Sequence, residues 1–380
     1  MTRGTTICCS ALALIALAKT SAPPSLMPLR PVWTLPLNNH LTAQPAYDEH
    51  RGYFPIEGDR LAAYDIEAGK LLWIAPSKPI FPPCTDHDLI FIVEAESVVA
   101  LNAADGKVAW QQPTDGETIV PPVAAQGLLL LASKTGELVA LHTADGQRSW
   151  QHGFVAPLHA TPTITEDRVY APTTDGSVFA LAIDSGETIW ERKVGGSPNQ
   201  VLALPERVYA GSTDNFLYCL LAKNGDIDWR WRTGGDITAA PVADEGRVYF
   251  VSKDNVLRAL SQKSGGQAWM KALPFRPILG VQLAGATLVV AGESPTVKTF
   301  NAADGAPGVD IAAGGAGDDA SAPPHALRNS TSGLPMLVVV SKNLVNGDSV
   351  ALSTRTVDPA PAAFAPLPTT ITPAPMQATP

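Results

Sequence analysis

The groups with which this chain could do chemistry are four cysteines, seven histidines and thirty-six carboxylates. The triplet most like a metal site is Asp86-His87-Asp88, where carboxylate and imidazole ligands are adjacent. Aligned with residues 240–250, the segment PPCTDHDLIFI puts this triplet on a strand-to-strand turn, where corresponding segments carry Glu166-Asp167 and Glu206-Arg207. That placement predicts a solvated turn. Asp318-Asp319 falls in a stretch of low complexity and reads the same way. No glycine-rich loop follows a strand and opens a helix, and no Ser, His and Asp arrangement stands out, so the sequence assigns no catalytic, cofactor-binding or metal residue. Cys8 and Cys9 are the only neighbouring cysteines. Cys84 and Cys219 are expected in different structural units, beyond the ~7 Å that a disulfide tolerates, as two buried thiols.

What positions these residues is a repeat of about forty residues. Seven of the eight tryptophans, Trp33, Trp73, Trp110, Trp150, Trp190, Trp229 and Trp269, are spaced by 40, 37, 40, 40, 39 and 40. Six of them carry Gly four residues earlier, as in ADGKVAW and DSGETIW. A further turn, ADGAPGV, keeps the register but has Val309 where Trp would stand. Within a unit the hydrophobic period is two, and Asp-Gly, Asn-Gly or Asp-Asn pairs separate the runs, which predicts antiparallel strands joined by tight hairpins. In the clearest unit the strands are expected at 161–165, 168–172, 177–183 and 187–192. Four strands per unit is the content of a β-propeller blade.

The termini say how the ring closes. Trp33 sits in a lone outer strand at 31–37, while Leu334 to Lys342 and Ser349 to Thr354, joined around Asn346-Gly347, resemble the two middle strands of a blade that lacks its outer one. Seven units plus this composite give an all-β, eight-bladed propeller whose last blade is closed by the N-terminal strand. Residues 312–333 are expected to be a loop insert, and 356–380, rich in Pro, Ala and Thr, a disordered tail. The tryptophans are assigned to docking one blade on the next.

Composition narrows the function. The formal charge of -9 and pI near 5.3 remove the electrostatic term that drives most nucleic-acid binding. Arg3, the apolar stretch from Ile7 to Ala18 and the small residues of Ala16-Leu17-Ala18 predict a signal peptide at 1–18, followed by a linker at 19–30 and a propeller domain at 31–355. No later run reaches ~18 apolar residues, so no transmembrane span is expected. The connections between blades vary where the rest repeats, and they collect Asp115, Glu117, His152, His159, Asn199, Gln200, Asp236 and Arg276. Variable loops on one face of a repeat fold are where partners bind, so Asp115, Glu117, His159, Asn199, Asp236 and Arg276 form the candidate partner-binding face.

The units resemble pyrroloquinoline-quinone (PQQ) repeats, with signature Ala-x-Asp-x-x-Thr-Gly-x-x-x-Trp. ALNAADGKVAW and AYDIEAGKLLW keep its Ala, Gly and Trp, Asp at the third position occurs only at Asp65, and Thr before the registered Gly occurs in no unit. The resemblance implies one of two roles. PQQ-dependent dehydrogenases of this kind hold the quinone and a calcium ion at the propeller centre, clamp it with a vicinal Cys-Cys ring, and are much longer. BamB-like outer-membrane assembly factors are non-catalytic, exported, eight-bladed and of about this size. Length and cysteine placement favour the second. It implies a monomeric, periplasmic or outer-membrane-associated scaffold with an envelope protein partner and no cofactor, although no lipidation site accompanies the signal. A small quinoprotein dehydrogenase binding PQQ and calcium is the alternative, and a ligand-binding sensor propeller a third.

Overall fold

The computed structural model describes residues 25–114, 116–343 and 347–355. Strands along the chain form eight antiparallel sheets, seven of them four-stranded and in sequence order, each one blade with strands A to D from the centre outward. In blade 4, for example, A is Thr163–Ile164, B Arg168–Pro172, C Ser177–Ala182 and D Thr188–Lys193, within two residues of the sequence expectation. Neighbouring A strands touch around the centre. The B and C strands are buried on both faces because adjacent blades sandwich them, as in Leu128–Ala132 of blade 3. The D strands keep one face in solvent, so Ile227–Arg232 of blade 5 alternates between partly buried and exposed positions. The core is therefore a series of layers between blades rather than one central mass.

Blade 8 is built from both ends of the chain. Its D strand, Leu29–Pro36, pairs with Ser349–Arg355, which pairs with Pro335–Lys342. The predicted closure holds, and two differences stand beside it. The strand starts two residues inside the expected linker, and Leu26 ahead of it is fully buried against blades 7 and 8 while its N–H bonds Thr287. The expected loop at 312–333 supplies strand A in two pieces, Asp319–Ala320 and His325–Arg328, both paired with Pro335–Lys342. The signal peptide, the tail, Asp115 and Asn346 lie outside the described residues.

The tryptophans dock the blades by one repeated contact. In every blade that has one, the C–D ladder slips at the residue just before the tryptophan: Ala180 faces Trp190, Leu181 faces Thr188, and Ile189 bulges out. The same slip precedes Trp33, Trp73, Trp110, Trp150, Trp229 and Trp269. Such a bulge re-aims the side chain that follows it. Each indole then reaches the C–D hairpin of the next blade, where Nε1 donates to a backbone carbonyl, as Trp73 does to Ala103 O at 2.9 Å and Trp190 to Ala222 O at 2.8 Å. The registered Gly of that hairpin has positive φ, as the sequence predicts, and also lies under the ring: a Cβ on Gly186 would stand 2.5 Å from Trp150 Cε3. Seven tryptophans thus serve the seven C–D hairpins of blades 1 to 7. Blade 8 has none, because its C and D strands come from opposite ends of the chain. The blade before it accordingly carries Val309, 68% exposed, at the registered position.

Candidate partner-binding face

On one face of the ring, the D-to-A loops lie against the B–C turns. Blades 4 to 6 build the turn from one pattern, Thr173-Thr174-Asp175-Gly176, Ser212-Thr213-Asp214-Asn215 and Ser252-Lys253-Asp254-Asn255, with the last residue left-handed in each. Thr173 Oγ1 donates to Asp175 Oδ1 at 2.6 Å and Ser252 Oγ to Asp254 Oδ1 at 2.5 Å, closing those two turns on themselves, whereas Ser212 Oγ donates to Gly195 O of the incoming loop. The turn's second residue then donates its N–H to the incoming loop: Lys134 to Glu117 O, Thr174 to Pro157 O, Thr213 to Ser197 O and Lys253 to Asp236 O.

This register places the predicted residues. Glu117 and Asp236 occupy the same loop position and each meets a lysine at the same turn position, Lys134 Nζ at 3.1 Å and Lys253 Nζ at 2.7 Å. These are exposed pairs worth at most ~1 kcal/mol each, so they shape the face more than they hold it. Asn199 Nδ2 donates to Ile237 O at 2.6 Å, tying two successive loops together. His159 is half-buried and its N–H bonds Pro172 O. Arg276 is exposed beside a small cavity of about 110 Å³ with Lys253 and Ile278. His152, expected in a loop, belongs to strand D of blade 3 and packs its ring on Phe154 at 4.6 Å. The five described candidates, Glu117, His159, Asn199, Asp236 and Arg276, therefore share a face but not a pocket, and Asp115 lies outside the described residues.

Two residues not singled out in the sequence organise the face around blades 5 and 6. Tyr218 and Arg258 hold the same place on their C strands. Tyr218 OH donates to Asp214 and accepts the Gly195 N–H, while Arg258 donates to Asp254, which also accepts the Gly234 N–H. Burial alone would raise the Asp254 carboxyl, but the hydrogen bonds from Arg258, Ser252 and Gly234 outweigh it and hold it at about 2. The glycine pairs Gly195-Gly196 and Gly234-Gly235 permit this approach, since a Cβ on Gly195 would stand 2.1 Å from Asp214 Oδ2. Paired glycines one residue past a D strand were the signal available in the sequence.

The opposite face carries the A–B hairpins. There Asp86 is not a solvated turn residue: its side chain is buried and accepts from Gly127 N and Thr143 Oγ1 of blade 3, both at 3.1 Å, so it latches two blades. His87 and Asp88 at the tip are exposed, as predicted. Among the described residues, no three His, Cys, Asp or Glu side chains are grouped to hold a metal. Both described cysteines are free; Cys219 is buried, its thiol pushed up to about 12 by that burial, and Cys84 is half-buried with its thiol raised by the same cause. No described helix is long and apolar enough to cross a membrane.

An eight-bladed propeller of tryptophan-docked repeats, closed by its N-terminal strand, is the class that this geometry defines. The family described as outer membrane protein assembly factor BamB matches residues 30–120, 94–211 and 203–351, and the chain belongs to that family. Among solved structures it is similar to BamB from Moraxella catarrhalis, at 16% identity and TM-score 0.67, over 87% of this chain and 99% of that one. It is also similar to quinohemoprotein alcohol dehydrogenase from Comamonas testosteroni, at 12% identity and TM-score 0.64, over 86% and 76%. A computationally designed propeller, Ika8, matches at 12% identity and TM-score 0.68, over 83% and 96%. No curated protein is significantly similar in sequence.

Proposed function

We propose that the protein is an exported, non-catalytic propeller scaffold that binds a protein partner through its loop face, in outer-membrane protein assembly. The observation that carries this reading is the distribution of exposed apolar side chains. Those off the outer strands and hairpins are Ile80, Val155 and Ile278, at 47%, 104% and 49% exposure, and all three sit on D-to-A loops of this one face. Apolar groups interspersed with paired charges on a rigidly closed loop ring suit a protein partner. Family membership supplies the assembly context, and the predicted signal peptide the periplasmic or outer-membrane location.

A quinone with calcium is not a good fit to the residues present. The described carboxylates Asp175, Asp214 and Asp254 are each committed to a neighbouring side chain, Thr173, Tyr218 and Arg258 respectively, and the described cysteines lie in separate blades. The test takes the mature protein, bait-tagged, in envelope extract. Replacing Asp115, Glu117, Asp236 and Arg276 together by Ser should weaken capture of an outer-membrane assembly component, with circular dichroism and the unfolding midpoint nearly unchanged. Full capture by the quadruple variant, or a bound quinone spectrum and dye reduction after adding PQQ and calcium, overturns the proposal.

A further inference from the structure

We propose that the cleft at the seam of the ring, between blades 8 and 1, is filled by the chain's own segment 356–367. This goes beyond the scaffold reading and does not rest on it. The cleft has a volume of about 610 Å³, within the roughly 300–1,000 Å³ of ligand-sized sites. Val32, Leu334, Met336 and Leu352 form its apolar side, and Arg30 and Arg355 are its cations. Its one carboxylate, Glu67 of the blade 1 hairpin, already accepts from Asn329 Nδ2 at 2.8 Å and Ser330 N at 2.6 Å, and among the described residues the exposed Arg30 makes no ion pair.

The seam leaves this space for two reasons. Strand B carries arginine at its entry in blades 1, 4, 5 and 6, at Arg51, Arg168, Arg207 and Arg247, and Arg168 reaches the Ala222 carbonyl of the next blade's hairpin. Met336 holds that register in blade 8, shorter and uncharged, so the span toward the blade 1 hairpin stays open. Blades 1 to 7 also turn strand C into strand D through a hairpin, whereas strand C of blade 8 ends at Arg355, opposite Leu29, and the chain leaves from the rim of the cleft. The segment that follows, TVDPAPAAFAPL, lies outside the described residues and carries the chemistry that the cleft lacks. Asp358, three positions beyond Arg355, is the only charged side chain in residues 356–380, an anion for a cleft with two cations. Val357, Phe364 and Leu367 supply apolar groups, and Phe364 can lie up to ~28 Å from Arg355 at ~3.1 Å per residue, ample to return over Val32 and Leu352. A tether this short gives an effective concentration of about a millimolar, so the segment occupies the cleft ahead of a dilute free ligand.

The experiment follows the methyl resonances of Val32, Leu334, Met336 and Leu352 in the full mature protein and in the same chain ended after Arg355. Ending the chain should shift all four, and a capped peptide of residues 356–367 added in trans should restore them saturably. Arg30→Gln in the protein and, separately, Asp358→Asn in the peptide should each weaken that binding about three- to fivefold, as loss of one partly exposed ion pair does. Asp358→Asn in the full chain should move the methyls part of the way toward the shortened chain without lowering the unfolding midpoint. Identical methyl positions with and without the segment, no response to the peptide, or unchanged binding after both charge changes overturns the proposal. Methyl shifts in the full chain that grow with protein concentration would put a second copy's segment in the cleft and overturn it as well.

Discussion

Replacing Gly186 by Ala tests the contact that repeats around the ring. Gly186 has φ +70° and Gly127, in the A–B hairpin of blade 3, has φ +77°, so alanine at either is left-handed at about 1–2 kcal/mol. Nothing stands within 4 Å of a Cβ on Gly127, whereas one on Gly186 meets Trp150 at 2.5 Å. Trp150 is 6% exposed, so its ring has little room to yield without giving up the bond from Nε1 to Ile183 O, worth about 1 kcal/mol, and part of its packing. Removing the whole ring costs ~3–5 kcal/mol, and displacing it should lose about 1 kcal/mol of packing in addition to the bond. Gly186→Ala should therefore exceed Gly127→Ala by about 2 kcal/mol in equilibrium urea unfolding, and the excess should vanish in a Trp150→Ala background. Equal costs for the two glycines, or an unchanged Gly186→Ala cost without the ring, would refute the reasoning.

Other outcomes follow from the same geometry. Deleting residues 31–37 removes strand D of blade 8 and the ring over Gly69, so the mature protein should aggregate or lose most of its thermal stability, and an unchanged melting curve would contradict the closure. Tyr249 OH bonds Asp244 and Ala302 O, while Tyr209 OH is buried with no partner because Leu204 holds the turn position of Asp244. Tyr249→Phe should cost about 1–2 kcal/mol and Tyr209→Phe close to nothing, compared by chemical denaturation. Burial against Tyr47, stacked at 4.1 Å, lowers His325 to about 4, below its ordinary 6.5. Folding favours the neutral ring, so its contribution is intact above pH 6.5 and is lost as pH falls toward 4; His325→Phe should flatten that part of the pH–stability curve.

The architecture was readable because blades 1 to 6 repeat two constraints that only particular residues meet, a left-handed hairpin glycine and a large ring four residues on. Blade 8 was only partly readable. Its A strand, Asp319–Ala320 and His325–Arg328, lies in a stretch rich in Ala, Gly and Pro and is broken between its halves, so no period of two survives. The second role of the hairpin glycines, space for the preceding blade's indole, joins residues over thirty positions apart and needs the ring to be assembled before it shows. The loop face was located from variability alone, but Glu117 and Asp236 proved to be one registered ion-pair position, a pattern seen only once the turn lysines are aligned with them. Asp86 read as a surface turn because its partners belong to another blade.

Val309 records where the circle was cut. Because each D strand serves the hairpin ahead of it, the modular unit of this chain runs D, A, B, C and straddles a blade boundary, and the propeller's first strand, Leu29–Pro36, opens such a unit. A circular permutant that links Arg355 to Leu29 through a glycine-bearing hairpin creates the eighth glycine that now has no indole above it. Opened instead at the hairpin around Gly186, it would move the seam to blade 4, make Trp150 the redundant ring, and turn Val309→Trp from a solvent-exposed aromatic into a docking residue.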